Sequence, residues 1–306
     1  MQNELRIVFM GTPEFAVPSL DVLIQNNYHV VAVITAPDKP AGRGQTLQSS
    51  AIKKYANAHD IPVLQPTKLK DHDFIESLKS YNANLQIVVA FRMLPEVIWA
   101  MPALGTFNLH ASLLPDYRGA APINRAVMNG ENKTGITTFF LQHEIDTGNI
   151  IFQSELSIGP DESAGELHDR MMIAGGDLVL KTVQAIASGL VHTYPQVLNS
   201  DPKFAPKIFK EDCKFSFDFN LEQAHNFIRG LSPVPGAWTS LDGKIFKLFK
   251  SQKEYATVKE PIGTFIKSDP NTLKLSLKDG YLHILEVQLE GKKRMAITEF
   301  LKGYQF

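Results

Sequence analysis

Five apolar runs with almost no polar alternation, Leu5–Met10, Val30–Thr35, Ile61–Leu64, Leu85–Ala90 and Thr106–Leu109, constrain this 306-residue chain more than any other feature. A strand with one wet face alternates polar and apolar residues. A run that is apolar at successive positions must be covered on both faces, as in a parallel sheet flanked by helices. The intervals between the runs suit helices, with Pro13–Gln25 and Ser50–His59 as two of them. A third, Ser163–Ser188, carries Leu167, Met171, Leu178 and Val179 at apolar positions and stops at Gly189. These features predict an α/β domain built on a doubly wound, mostly parallel sheet.

Residues 190–208 carry Pro195, Pro202 and Pro206 without a helical period and read as an extended linker. From 209 the pattern is one helix, Leu221–Gly230, followed by short alternating segments at Lys244–Lys250, Gly263–Ile266, Leu273–Leu277 and Leu282–Gln288. That is the pattern of a small β-barrel. The expected division is a first domain over 1–189, the linker 190–208, and a second domain over 209–306. The net charge of −1 hides an asymmetry: residues 1–205 hold 15 Lys+Arg against 20 Asp+Glu, whereas residues 206–306 hold 16 against 12. The basic end suits a surface that meets a polyanion, and equally a scatter of solvated lysines.

The opening MQNELRIVFMGT lacks the basic start, long apolar stretch and cleavage site of a secretory signal. No apolar run reaches the roughly 18–20 residues that span a bilayer, so a cytoplasmic protein without a membrane partner is expected. One cysteine, Cys213, excludes an intramolecular disulfide and a cysteine-rich zinc site, in keeping with a reducing compartment. A monomer is the default expectation.

The first strand runs into Gly11-Thr12-Pro13, a turn that would present backbone amides to a phosphate or simply be tight. The dinucleotide fingerprint is absent, since Pro13 and Ala16 stand where its other glycines are needed. Residues 38–46, DKPAGRGQT, are too polar and too rich in breakers for a helix or a buried strand, and read as an exposed loop at the carboxyl edge of the sheet. Its Lys39 and Arg43 suit phosphate or nucleic acid, or serve only to solvate a connection.

The densest chemistry lies in 104–126, LGTFNLHASLLPDYRGAAPINRA. Asn108 and His110 are two apart, which in a strand places an amide and an imidazole on one face at its carboxyl end. An amide donor beside a titratable ring suits oxyanion stabilisation and proton transfer in acyl transfer. Further on, Asp146-Thr147-Gly148 begins a tight loop that either is only a turn or returns a carboxylate to the histidine. His110, His143 and Asp146 would make a poor metal set, because His143 and Asp146 sit where facing is undefined and no H-E-x-x-H occurs; no metal is expected. There is no G-x-S-x-G elbow, and Cys213 lies far from the polar cluster, so covalent catalysis is not expected.

Together, Asn108-x-His110, SLLPDYRGAAPI at 112–123 and Asp146-Thr147-Gly148 resemble the folate-dependent formyltransferases. The resemblance continues through GTPEFA at 11–16, PDKPAGRG at 37–44, FAPKIFKED at 204–212 and the barrel-like end, covering nearly the whole chain. It implies a Rossmann-like catalytic domain followed by an OB-like barrel. It implies transfer of a formyl group from 10-formyltetrahydrofolate to the α-amine of methionine esterified to initiator tRNA. By the same resemblance Asn108, His110 and Asp146 are the catalytic trio. The folate would lie along Ser112, Leu113, Leu114 and Pro115 and along Phe91, Arg92, Met93 and Leu94. This chain has Phe91 and Arg92 where the family often has tyrosine and glycine, so Arg92 would alter the pocket entrance. The arm with Lys39 and Arg43 would approach the tRNA acceptor end, and Lys207, Lys210, Lys292, Lys293 and Arg294 are candidate phosphate contacts.

Two other functions share these features. A sugar-nucleotide formyltransferase would keep the trio and the folate site while accepting an amino sugar; relatives of that kind generally lack the DKPAGRG insertion. A non-catalytic RNA-binding protein would use the barrel and the basic arm, with the trio merely structural.

Overall fold

A computed structural model describes residues 4–41, 46–198 and 200–304. The apolar runs form the strands β1 (Arg6–Gly11), β2 (His29–Ile34), β3 (Val63–Leu64), β4 (Leu85–Val89) and β5 (Thr106–His110). These are followed by β6 (Lys133–Phe140) and β7 (Ile150–Ser157). All seven lie in one sheet in the order β7-β6-β5-β4-β1-β2-β3. Neighbours from β1 to β5 pair in parallel, and β6 runs antiparallel to β5. The central strands are buried at nearly every position, which is why their sequences show no alternation. The sheet is Rossmann-like and doubly wound, as the sequence predicts. Strand order reverses between β1 and β4, so the crevice outside their carboxyl ends is where such a sheet binds ligands.

Helices α1 (Val17–Gln25), α2 (Ala51–Ala58), α3 (His72–Ser80), α4 (Glu96–Trp99), α5 (Pro122–Met128) and α6 (Ala164–Ala187) join the strands. The expected helix from Pro13 divides into a 3-10 turn over Glu14–Ala16 and then α1, with Pro18 in the first turn, where its missing N–H leaves no helical bond unmade. Ser50 caps α2 by accepting from Lys53 N, and Asp71 caps α3 by accepting from Phe74 N.

Beyond these lie α7 (Leu221–Leu231), the strands β8 (Ala237–Leu241), β9 (Lys244–Tyr255), β10 (Phe265–Asp269), β11 (Thr272–Leu277), β12 (Gly280–Leu289) and β13 (Met295–Ala296), and α8 (Ile297–Gly303). They form an antiparallel, OB-like sheet in the order β8-β9-β12-β11-β10, with β13 beside β12. Asn220 and Gln223 close a capping box on α7. The buried Leu221, Ala224 and Ile228 of that helix share a core with Phe246, Leu248 and Leu275. Phe246 is fully buried, so Phe246→Ala is expected to lower stability by about 3–5 kcal/mol, read as an earlier urea midpoint with an unchanged slope.

The chain forms two compact units, each assembled from separate stretches. One takes Met1–Arg118, Gly135–Leu156 and Asp169–Phe204; the other takes Gly119–Thr134, Ser157–His168 and Ala205–Phe306. Among the described residues no helix is long and apolar enough to cross a membrane.

Candidate active site

Strand β5 buries Phe107 and Leu109 and leaves Asn108 half-buried, so the period of two aims Asn108 and His110 to one face. Register fixes their neighbours: Val88 and Val89 pair with Asn108 and Leu109, and Gly11 pairs with Val89. The carboxyl ends of β1, β4 and β5 therefore finish side by side, at the reversal of strand order. The Asn108 carboxamide makes no hydrogen bond to any described residue, although hydrogen bonds engage side chains around it. It is free to donate to a ligand.

His110 is 6% exposed, and its Nε2 lies 2.9 Å from the Tyr117 carbonyl. A carbonyl only accepts, so Nε2 carries the hydrogen and Nδ1 is the position open to proton exchange. Nδ1 sits 3.9 Å from Asp146 Oδ2, both side chains being largely buried. That spacing is too long for a direct hydrogen bond.

The Asp146 loop is held by residues that its own sequence does not announce. Asp146 adopts φ +56°, and Tyr117 adopts +60°, conformations rare outside glycine. A Cβ on Gly148 would come 1.6 Å from the Phe140 carbonyl oxygen, so only glycine fits that crossing. Gln196 Nε2 donates to the carbonyls of both Asp146 and Gly148 at 2.8 Å, while its Oε1 accepts from Arg118 Nη2 at 2.6 Å. The stretch expected to be only a linker thus braces the loop, and Tyr194 bridges to Ile150 as well.

After β5, the chain turns through the segment assigned by resemblance to folate. Ser112 Oγ donates to the Asp116 carbonyl at 2.6 Å, and the Ser112 carbonyl accepts from Thr137 Oγ1 at 2.7 Å. Leu114 is buried with Phe139 and Ile150, its N–H donating to Thr137 Oγ1 at 3.2 Å and its carbonyl accepting from Gln153 Nε2 at 2.9 Å. Thr137 and Gln153 are therefore the clamps of this turn; they come from β6 and β7, beyond any local signal. Leu113 and Pro115 are half-buried.

In the second segment Leu94 is buried in the core and Met93 is 73% exposed. Arg92 donates to the carbonyls of Pro66 and Thr67, so its charge secures one loop to another. Phe91, Arg92 and Lys39 meet Thr12, Pro37 and Thr67 around a cleft of about 500 Å³ at the carboxyl edge.

The arm is a hairpin where a loop was expected: Lys39–Ala41 pairs antiparallel with Thr46–Gln48. Strand pairing satisfies the backbone that its polar composition leaves exposed. Asp38 secures its base, accepting from Lys53 Nζ at 2.7 Å and Gln65 Nε2 at 2.8 Å; these bonds hold its carboxyl below the ordinary range. Lys39 is exposed, and Arg43 lies outside the described residues.

In the second unit Lys207, Lys210, Lys292 and Lys293 are exposed. Lys207 lies 5.4 Å from the Phe209 ring and Lys210 5.9 Å from Trp238. Arg294 differs from them: its Nε and Nη2 bond both carboxylate oxygens of Glu286 at 2.7 and 2.5 Å, which neutralises much of its charge. His143 is directed to Glu96, 3.2 Å away, and against the edge of Trp99. Among the described residues no three His, Cys, Asp or Glu side chains are grouped to hold a metal. Cys213 is buried, and burial pushes its thiol up, which makes it a poor nucleophile.

Residues 5–183 match the family model described as formyl transferase, and residues 207–305 match that of the formyl transferase C-terminal domain. The methionyl-tRNA formyltransferase of Flavobacterium johnsoniae is 53% identical over 308 residues, covering 99% of this chain and 98% of its own length. That of Bacteroides thetaiotaomicron is 50% identical over 312 residues, covering 99% and 97%. Among solved structures, the sugar 3N-formyl transferase WlaRD, with dTDP and 5-N-formyl-THF present, gives a TM-score of 0.68 at 22% identity, covering 95% of this chain and 100% of its own. HypX from Aquifex aeolicus, in complex with tetrahydrofolic acid, gives 0.66 at 18% identity, covering 98% and 48%. At such identities the two structures bear on the fold alone.

Proposed function

Because this chain belongs to the formyl transferase family over both matched regions, we propose that it moves a formyl group from 10-formyltetrahydrofolate to the α-amine of methionine on initiator tRNA. It is a formyl-transferring enzyme, and a folate-derived donor accords with the ligands of WlaRD and HypX. The observation that carries the reading is the unengaged Asn108 carboxamide beside His110 and Asp146, at the edge where β1, β4 and β5 end.

The donor supplies an electrophilic formyl carbon bonded to nitrogen. Asn108 donates a hydrogen bond to the formyl oxygen as that oxygen gains charge. His110, fixed as the Nε2–H tautomer by the Tyr117 carbonyl, uses Nδ1 to take up the proton of the attacking amine and to return it toward the departing nitrogen. Asp146, 3.9 Å from Nδ1, stabilises the ring while it is charged. The cleft holding Phe91 and Arg92 is the proposed folate side of the centre. Within this reading, 1–189 is the catalytic domain, 190–208 the linker and 209–306 a domain that assists tRNA binding.

The exposed Lys39, on its hairpin, is assigned to the tRNA together with Arg43. Lys39→Glu is expected to raise KM for charged tRNA several-fold, more at low salt than at high, and by more than it raises KM for the folate donor, whose cleft Lys39 also lines. The acceptor is tested with labelled formyl donor and four acceptors: methionyl initiator tRNA, uncharged tRNA, free methionine and a nucleotide amino sugar. Label only on the charged tRNA is the expected result. Label on the amino sugar alone would retain the trio and refute the acceptor.

A further inference from the structure

We propose that the C-terminal unit carries a second site, for a ribonucleotide-type ligand: a phosphate ester with neighbouring hydroxyls, its phosphate held by Arg229 and Lys250 and its hydroxyls by Asp161. This site takes no part in formyl transfer and does not depend on which acceptor the enzyme uses. It occupies a cleft of about 780 Å³ lined by the turn before α6, by α7, and by β9 and β12. That volume lies within the range of small-molecule sites.

Arg229 is the central observation. The residue is 6% exposed, yet it lines the cleft. Its Nε donates to Asn226 Oδ1 at 2.8 Å, and its Nη1 donates to the carbonyls of Glu162 and Gly159 at 2.9 and 3.3 Å. Those acceptors are all neutral, and Nη2 has no hydrogen-bond partner among the described residues. A buried guanidinium without a bonded anion is costly, and a planar donor open to a cleft suits a phosphate oxygen.

The carboxylates of Asp161, Glu222 and Glu162 lie near enough to favour the charged guanidinium, but none is hydrogen-bonded to it. Glu162 accepts from Gly159 N at 2.9 Å, Glu166 from Ser163 N and Oγ at 2.8 Å, and Glu286 holds Arg294 in a bidentate pair. Asp161 lies 3.2 Å from His225 Nε2, and burial holds that imidazole below its ordinary value and hence neutral. The Asp161 side chain is 74% exposed, so its carboxylate remains open to hydroxyl donors. Lys250 is exposed in the same cleft and makes no ion pair with a described residue. The lining thus offers two cations, Arg229 and Lys250, and an exposed carboxylate, Asp161. A ligand bearing both a phosphate and hydroxyls satisfies this arrangement; an inorganic anion meets only half of it.

The test is titration of the full-length protein with 5′-AMP and with 2′-deoxy-AMP, followed by calorimetry or ligand-observed NMR. Saturable binding that prefers 5′-AMP is expected. Lys250→Glu should weaken both nucleotides by about tenfold or more, the scale of a lost charged hydrogen bond. Asp161→Asn should abolish the preference for the ribose form. Both side chains are exposed, so these variants remain informative if Arg229→Gln fails to fold. Competition by a short single-stranded RNA assigns the phosphate to an RNA strand, and its absence assigns it to a free nucleotide. No saturable binding, or affinity unchanged in Lys250→Glu, overturns the proposal.

Discussion

Asn108→Ala is expected to lower kcat by about 10²- to 10³-fold, the usual loss when a pre-aligned oxyanion donor is removed, with KM for both substrates little changed. The expectation rests on a feature that separates chemistry from structure. The carboxamide is half-buried on β5 and makes no hydrogen bond to a described residue, so its removal breaks no hydrogen bond among them. The thermal midpoint should therefore stay within a degree or two of the wild type. His110→Ala should be at least as damaging to kcat, by about 10²- to 10⁴-fold, but it also removes a buried hydrogen bond to the Tyr117 carbonyl and should cost measurable stability. A variant at Asn108 that unfolds early while turning over normally would mean that the amide is a packing residue.

Gly148→Ala should be nearly as severe, although glycine touches no reacting atom. Its Cβ would lie 1.6 Å from the Phe140 carbonyl oxygen, which belongs to a strand of the central sheet and cannot yield. The loop must move instead. Asp146 lies two residues earlier in a left-handed conformation, with its carbonyl held by the same Gln196 amide that holds Gly148. A displacement of about 1 Å at a catalytic group is worth roughly 10²-fold in kcat/KM, and the strain adds about 1–3 kcal/mol of destabilisation. Gln196→Ala releases the same two carbonyls without a clash, so it should follow in the same direction with a smaller loss, about tenfold in kcat. Normal transfer by Gly148→Ala would show that the Asp146 loop does not set the geometry of the centre.

The parallel sheet was legible because burial on both faces leaves a visible trace: Ile7 to Met10 and Leu85 to Val89 are apolar at almost every position, and the structure buries them all. Asn108 and His110 were legible for a related reason, since a period of two in a strand is enough to put them on one face. Helix α3 fills an interval that suits a helix, but its bounds were not legible although Asp71, Phe74 and Leu78 supply its cap and an i, i+4 apolar pair, because a nine-residue helix with one narrow stripe gives a faint periodic signal. Residues 150–157 form β7, a strand the sequence analysis does not single out, whose outer half alternates burial at the edge of the sheet. The roles of Gln196, Thr137, Gln153 and Arg118 were not legible, although Arg118 lies within the motif at 112–123. Each acts through a hydrogen bond to a segment between 16 and 78 residues away, and no local pattern encodes such a partner. Arg294 shows the converse: it counted as a free cation in the sequence, and only β12 reveals that Glu286 already binds it.

The most direct test of the catalytic centre is a single-turnover experiment with enzyme in excess over charged initiator tRNA and labelled formyl donor at saturation. Wild type and Asn108→Ala are compared in the same buffer. Label is expected on the methionine α-amine in both, to the same final amount, with the rate constant of the variant lower by about 10²-fold or more. Equal rate constants, or label that never reaches the α-amine with the wild type, would contradict it.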